Sequence, residues 1–171
     1  QIEEMLQRLT AIISDQQAVQ FVTTQQSLRS KPEPEPGKQA AYVDTGVWSQ
    51  KAIAESQGLG ETLTVASSAA TNYDRIPAFP DAASYAHASY LHITTNNTIF
   101  GTEYAEIPQA EGGVPLVIDF SSHAGSRPMA LERAAFGYAG AQKNLGPSGV
   151  TLVYIRKDLL AQGIVLKDSP T

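Results

Sequence analysis

The chain has 171 residues, 42% hydrophobic and 17% charged, which is enough for one domain with a sizeable core. A formal net charge of −5 with no basic run speaks against binding to nucleic acid or to an anionic membrane. Cysteine is absent, which excludes disulfides and thiolate metal sites and is compatible with the cytosol, and no apolar run approaches the roughly 20 residues of a membrane span.

In chain order, "QIEEMLQRLT" has neither a basic region nor a long apolar core, so it does not read as a signal peptide, and without an initiator Met residue 1 is not expected to be a natural start. The apolar spacing of "IEEMLQRLTAII" predicts an amphipathic helix, with Glu3 and Glu4 on its exposed face. A short strand, "AVQFV", follows. The polar turn "TTQQSL" then leads into a Pro/Glu-rich linker over residues 31–38. "AYVDT" is a predicted strand and "WSQKAIAESQGLG" a helix closed by glycine. Next come the strand "TLTVAS", the loop "SAATNYDRIPAFPDA", the strand "YLHITTN" and the segment "TIFGTEY" beyond a turn. "VPLVIDF" is an almost continuous apolar strand, which suits a sheet covered on both faces. "FGYAGAQ" and "VTLVYIR" are two further strands, and "RKDLLAQG" begins a helix. Strands separated by helices or long loops imply an α/β domain with a mostly parallel sheet flanked by helices.

In such sheets ligands gather at the carboxyl ends of the strands. Four of those ends carry chemistry: Trp48 after "YVDTGV", Thr98 after "LHITTNN", Asp119 at the end of "VPLVID", and Lys143 after "YAGAQ". Each has a plainer reading. An Asp at a strand end often caps a turn, the only Trp can be core, Thr98 can be turn chemistry, and a lysine can snorkel to the surface. His87, His92 and His123 lack the spacing of a metal site, and "SSHAGS" lacks the nucleophile elbow of a hydrolase. As a set, the four strand-end residues meet the needs of pyridoxal phosphate. That cofactor takes a lysine for its Schiff base, a carboxylate against its pyridine nitrogen, an aromatic face on its ring and a hydroxyl near its ring oxygen. A buried lysine is expected here, because burial lowers the amine pKa and favours attack on an aldehyde.

The stretches "YVDTGVWSQKAI", "LHITTNNTIFGTEY", "VIDFSSHAGSRP" and "YAGAQKNLGPSGVTLVYIRKDLL" resemble the phosphoserine aminotransferases, fold-type I enzymes that depend on pyridoxal 5'-phosphate. The resemblance runs in order from about Tyr42 to about Leu160, and "GAQKNLGPSG" is its most specific segment. It implies that Lys143 is the catalytic, Schiff-base lysine, that Asp119 pairs with the pyridine nitrogen, that Trp48 stacks on the ring, and that Thr98 sits by the ring oxygen. It further implies that Gln142 touches the cofactor phosphate, that Ser27 belongs to the phosphate-binding turn, and that Arg127 of "SRP" is structural.

The activity so implied is transfer of an amino group between glutamate and 3-phosphohydroxypyruvate in serine biosynthesis, by a cytoplasmic homodimer without nucleic-acid or membrane partners. The expected organisation is a partial cofactor-binding large domain over residues 1–171, with a divergent part at 1–39 and a core at 40–160. The small C-terminal domain and the substrate-binding arginines are expected to lie outside these residues. Where the family has glycines before Ser27, this chain has Thr24, Gln25 and Gln26, so a weaker phosphate anchor is expected. Two alternatives stay open: a catalytically incomplete relic that serves as a folded α/β partner-binding element, or a fold-type I enzyme with another substrate.

Overall fold

The computed structural model describes residues 39–161. The first predicted helix, the strand "AVQFV", the linker at 31–38 and Ser27 lie outside the described residues. A six-stranded sheet organises the remainder. Its strands are β1 (Gln39–Asp44), β2 (Glu61–Ser67), β3 (Ala88–Thr94), β6 (Leu116–Asp119), β7 (Phe136–Gly140) and β8 (Thr151–Ile155), in the order β2-β1-β3-β6-β7-β8. The pairings from β2 across to β7 are parallel, and β8 runs antiparallel to β7. A two-stranded antiparallel hairpin, β4 (Asn96–Asn97) with β5 (Thr102–Glu103), stands beyond the end of β3. The α/β class and mostly parallel sheet expected from sequence are therefore present.

One of the connections between strands is a full helix, α1 (Val47–Gln57), joining β1 to β2. A short α2 (Lys157–Ala161) follows β8. The other connections are loops with single 3-10 turns at Ala69–Thr71, Ala82–Ser84 and Leu131–Arg133. Sequence explains this. Pro77, Pro80, Pro108 and Pro128 lack backbone donors, and Gly112 and Gly113 take positive φ, so none of these segments can hold a helical ladder. Gly58 ends α1 as expected, although in right-handed conformation (φ −69°) instead of a left-handed cap.

The period-2 alternation of the strands sorts residues onto two faces. Ala40, Tyr42, Tyr90, Val117, Phe136 and Tyr138 form the face that packs on Ala52 and Ile53 of α1. Ala41, Val43, Leu91, Ile93, Leu116 and Ile118 form the other, covered by loop residues that include Tyr85, Tyr104, Ile107 and Phe120. The central strands are buried on both faces, which is why "VPLVIDF" reads as an unbroken apolar run.

Gly137 shows how tight the loop-covered face is. A Cβ there would come within 2.9 Å of both Ile118 Cγ1 and Phe120 Cε1. Glycine thus lets Phe120 lie against β7. Gly137→Ala is expected to destabilise the fold by about 1–3 kcal/mol through overpacking, read as a lowered urea midpoint. An unchanged midpoint would show that the Phe120 ring can yield freely.

Candidate functional site

The parallel strands deliver their carboxyl ends to one edge of the sheet. At the end of β1, Asp44 is buried and accepts hydrogen bonds from Ser49 Oγ (3.2 Å), Ser67 Oγ (3.1 Å) and Tyr73 OH (2.9 Å). Burial, reinforced by that bond to Asp44, pushes the Tyr73 phenol up to about 12. Tyr73 itself has φ +57°, a left-handed conformation that a bulky residue adopts only when its surroundings fix it. This knot of contacts sets the turn that starts α1, and Trp48 is the second residue of that helix.

Trp48 is gripped at both ends. Its backbone N–H donates to Asn97 Oδ1 (3.0 Å) and its indole Nε1–H donates to Thr98 Oγ1 (3.1 Å). Two ammonium groups lie over the indole, Lys143 Nζ at 5.2 Å and Lys51 Nζ at 4.9 Å from the ring centroid. At exposed sites such contacts contribute about 0.5–1 kcal/mol each.

Asp119 ends β6 and is 5% exposed. Its Oδ1 accepts from the Ser121 N–H (3.0 Å) and from Ser121 Oγ–H (2.7 Å). Ser121 Oγ in turn accepts the N–H of Gly140, the last residue of β7 (3.0 Å). One hydroxyl thus ties the carboxylate to the turn that carries Gln142 and Lys143. Asn144 fastens the far side of this turn, its Nδ2 donating to the carbonyls of Ser122 (2.8 Å) and Ala124 (3.0 Å). Gly140 also makes room for Gln142: a Cβ there would lie 2.6 Å from Gln142 Oε1.

The structure therefore brings Trp48, Thr98 and Lys143 into one group and links Asp119 and Gln142 to it through Ser121 and Gly140. Asp119 caps its own turn through Ser121, at the carboxyl end of β6. The expectation of a buried lysine is not met. Lys143 is exposed, as are residues 142–150 throughout, because the turn projects past the end of the sheet. Sequence reasoning missed Asn97, Ser121 and Asp44. The D-x-S spacing of Asp119 and Ser121 was a signal for the second of these; Asn97 had none beyond a turn-like "NNT".

Beneath Asp119 lies a buried polar layer. Tyr42 OH and Tyr90 OH are 2.8 Å apart, the Tyr42 and His92 rings are 4.8 Å apart, and His92 Nε2 is 3.0 Å from Tyr138 OH. Tyr138 is paired with Asp119 across β7 and β6, so the two share a face. Burial first, and then the Asp119 charge, hold the Tyr138 phenol well above its ordinary pKa. The other histidines build no metal centre. His87 is exposed, and His123 Nε2 lies 3.1 Å from Glu103 Oε1 without hydrogen-bond geometry. Among the described residues no group of three His, Asp or Glu is placed to hold a metal ion, and no helix is long and apolar enough to cross a membrane. Arg127 donates to the Tyr104 carbonyl (2.7 Å) and pairs with Glu103 (2.9 Å).

Comparison with known proteins gives the chain's family. Residues 17–166 match the family described as aminotransferase class-V. The chain is 53% identical over 124 residues to a phosphoserine aminotransferase of Geobacillus kaustophilus, covering 72% of this chain and 34% of that protein. It is 42% identical over 168 residues to the phosphoserine aminotransferase of Alkalihalobacillus alcalophilus, covering 94% and 45%. Among solved structures, phosphoserine aminotransferase from Bacillus circulans subsp. alkalophilus superposes with a TM-score of 0.67 at 38% identity, over 91% of this chain and 38% of that one. The pyridoxal-phosphate-bound enzyme from Trichomonas vaginalis superposes with a TM-score of 0.61 at 33% identity, over 75% and 36%. The chain thus spans between a third and a half of the length of these relatives. It belongs to the class-V aminotransferases.

The buried layer has a consequence for stability. Burial lowers the His92 pKa to about 3, whereas in the unfolded chain it is about 6.5. Between these values the unfolded chain binds the extra proton. Stability is therefore fully present above about pH 6.5 and is lost as pH falls towards 3, by up to about 1.4 kcal/mol per pH unit. Urea midpoints measured from pH 7 to pH 4 are expected to fall more steeply for the unsubstituted chain than for His92→Gln. Parallel slopes would contradict the assignment.

Proposed function

We propose that this class-V aminotransferase chain forms the cofactor-binding part of a phosphoserine aminotransferase, in which an amino group passes between glutamate and 3-phosphohydroxypyruvate. On this reading the complete enzyme is a cytoplasmic homodimer of serine biosynthesis. The observation that carries the reading is the Lys143 ammonium over the Trp48 indole, whose own N–H is held by Thr98.

The residues fit pyridoxal phosphate by the chemistry of the donor set. Lys143 offers an accessible amine. Trp48, half-buried, offers a flat face fixed at both ends. Asp119 offers a carboxylate whose Oδ1 is already oriented by Ser121. The buried Thr94 hydroxyl, paired with Asp119 across β3 and β6, has no hydrogen-bond partner among the described residues. Gly140 leaves the space that the Gln142 amide fills. When bound, pyridoxal phosphate supplies an electron sink for bonds at the substrate α-carbon.

Lys143 Nζ would hold the cofactor aldehyde covalently and, once displaced by substrate, would carry the proton to and from the substrate α-carbon. Asp119 would accept the hydrogen of the pyridine nitrogen. Trp48 would fix the ring plane, and Thr98, already engaged by the indole, would stand beside the ring oxygen. Gln142 would reach the phosphate, with Ser27 assigned to the same phosphate by sequence.

Borohydride reduction of the chain in pyridoxal phosphate, followed by peptide mapping, is expected to find the label on Lys143. Label on Lys51 or Lys157 with none on Lys143 would overturn the assignment; Lys51, equally close to the indole, is the internal control. Asp119→Ala is expected to weaken pyridoxal phosphate binding by about 10- to 100-fold, the loss of one charge-assisted hydrogen bond. A spectrophotometric titration measures this, and unchanged affinity would remove Asp119 from the site.

A further inference from the structure

We infer that Asn97 is a positioning residue that caps helix α1 from a distant part of the chain and thereby fixes the Trp48 ring. Helix α1 begins without a cap of its own. Its N-cap residue is Gly46, with φ +143° and no side chain to satisfy the first amides of the helix. Helix starts leave such donors unpaired, and an N-cap side chain ordinarily accepts from the second or third of them. Here that acceptor comes from 49 residues away: Asn97 Oδ1 takes the Trp48 N–H at 3.0 Å. The other half of the same amide, Nδ2, donates to Thr45 Oγ1 at 2.7 Å. Asn97 is fully buried.

The surroundings require the glycine and an acceptor at position 97. A Cβ on Gly46 would lie 3.0 Å from Asn97 Cγ and 2.9 Å from Phe100 Cδ2, so the close approach of the β4–β5 turn excludes a side chain at position 46. Thr102 Oγ1 donates to the Thr45 carbonyl at 2.9 Å and locks the hairpin to the same turn. The group at 97 accepts from Trp48 and meets the Thr45 hydroxyl at once, which an asparagine amide does with its two ends. Asn97 and Thr98 are adjacent. The first therefore holds the backbone end of Trp48 and the second holds its indole end, and the ring has no free axis about which to swing. For its functional meaning this rests on Trp48 being the cofactor's stacking face; the geometry does not depend on it.

Trp48 is the only tryptophan of the chain, so intrinsic fluorescence reports on this residue alone. Asn97→Ala is expected to reduce the ordered-to-frayed ratio of the Trp48 turn by about fivefold, the shift that accompanies loss of an N-cap side chain. It should appear as faster acrylamide quenching and lower anisotropy of Trp48, and as weaker pyridoxal phosphate uptake. Asn97→Asp keeps the acceptor for Trp48 and lets Thr45 donate in its turn, and is expected to restore the fluorescence values of the unsubstituted chain. Unchanged quenching in N97A, or N97D no better than N97A, overturns the inference. Independently of any variant, the Trp48 amide is expected to be protected in hydrogen exchange, and exchange at the unpaired rate would overturn it as well. If the unsubstituted chain takes up no pyridoxal phosphate while Trp48 responds as described, the cofactor reading fails and the role of Asn97 stands.

Discussion

Five strands running parallel deliver their carboxyl ends to a single edge of the sheet, and the chemical groups of this chain are placed by that constraint. Asp44, Asp119 and the turn after Gly140 are three such ends. Each is a short step from a strand buried on both faces, so the sheet's rigidity passes to the side chains that leave it. The antiparallel β8 then turns the chain back beside β7, which leaves Lys143 on a projecting turn.

Hydrogen bonds between non-neighbouring turns convert these separate strand ends into one site. Ser121 joins β6 to β7, Asn97 joins the β4–β5 hairpin to α1, and Asp44 joins β1 to β2 and to Tyr73. Such bonds contribute about 1 kcal/mol each to stability, but leaving one partner unpaired when buried costs more. The arrangement is therefore self-enforcing: an incorrectly placed turn would strand an amide or a carboxylate out of water. The layer of Tyr42, Tyr90, His92 and Tyr138 below Asp119 has the same character. Its residues are fully buried and joined by the Tyr42–Tyr90 and His92–Tyr138 hydrogen bonds.

Much of this was legible in the sequence, for identifiable reasons. Apolar and β-branched runs marked β1, β3, β6 and β7, because strands covered on both faces have little freedom in residue type, and the β-branched run of the edge strand β8 marked it as well. Trp48, Thr98, Asp119 and Lys143 stood out as candidates because chemistry in a parallel sheet collects at strand ends, so position and residue type pointed the same way; Gln142 came only from the family resemblance. The helix after β1 and the loop "SAATNYDRIPAFPDA" after β2 were legible too, the first from its closing glycine and the second from its prolines. The burial of Lys143 was misjudged, since its neutral, small-residue neighbours looked like an interior and proved to be an exposed turn. Asn97 and Ser121 act through long-range or turn hydrogen bonds, which leave no periodic trace.

The central claim is that Lys143 and the Trp48 indole belong to one cofactor site. The most direct measurement is a titration with pyridoxal phosphate that follows Trp48 emission and the visible absorbance of lysine-bound cofactor in the same sample, for the unsubstituted chain and for Lys143→Ala. The account predicts saturable quenching of Trp48 that tracks the absorbance band at the same half-saturating concentration, with both lost in K143A. A band that rises with no change in Trp48 emission, or a band and quenching that persist in K143A, would contradict it.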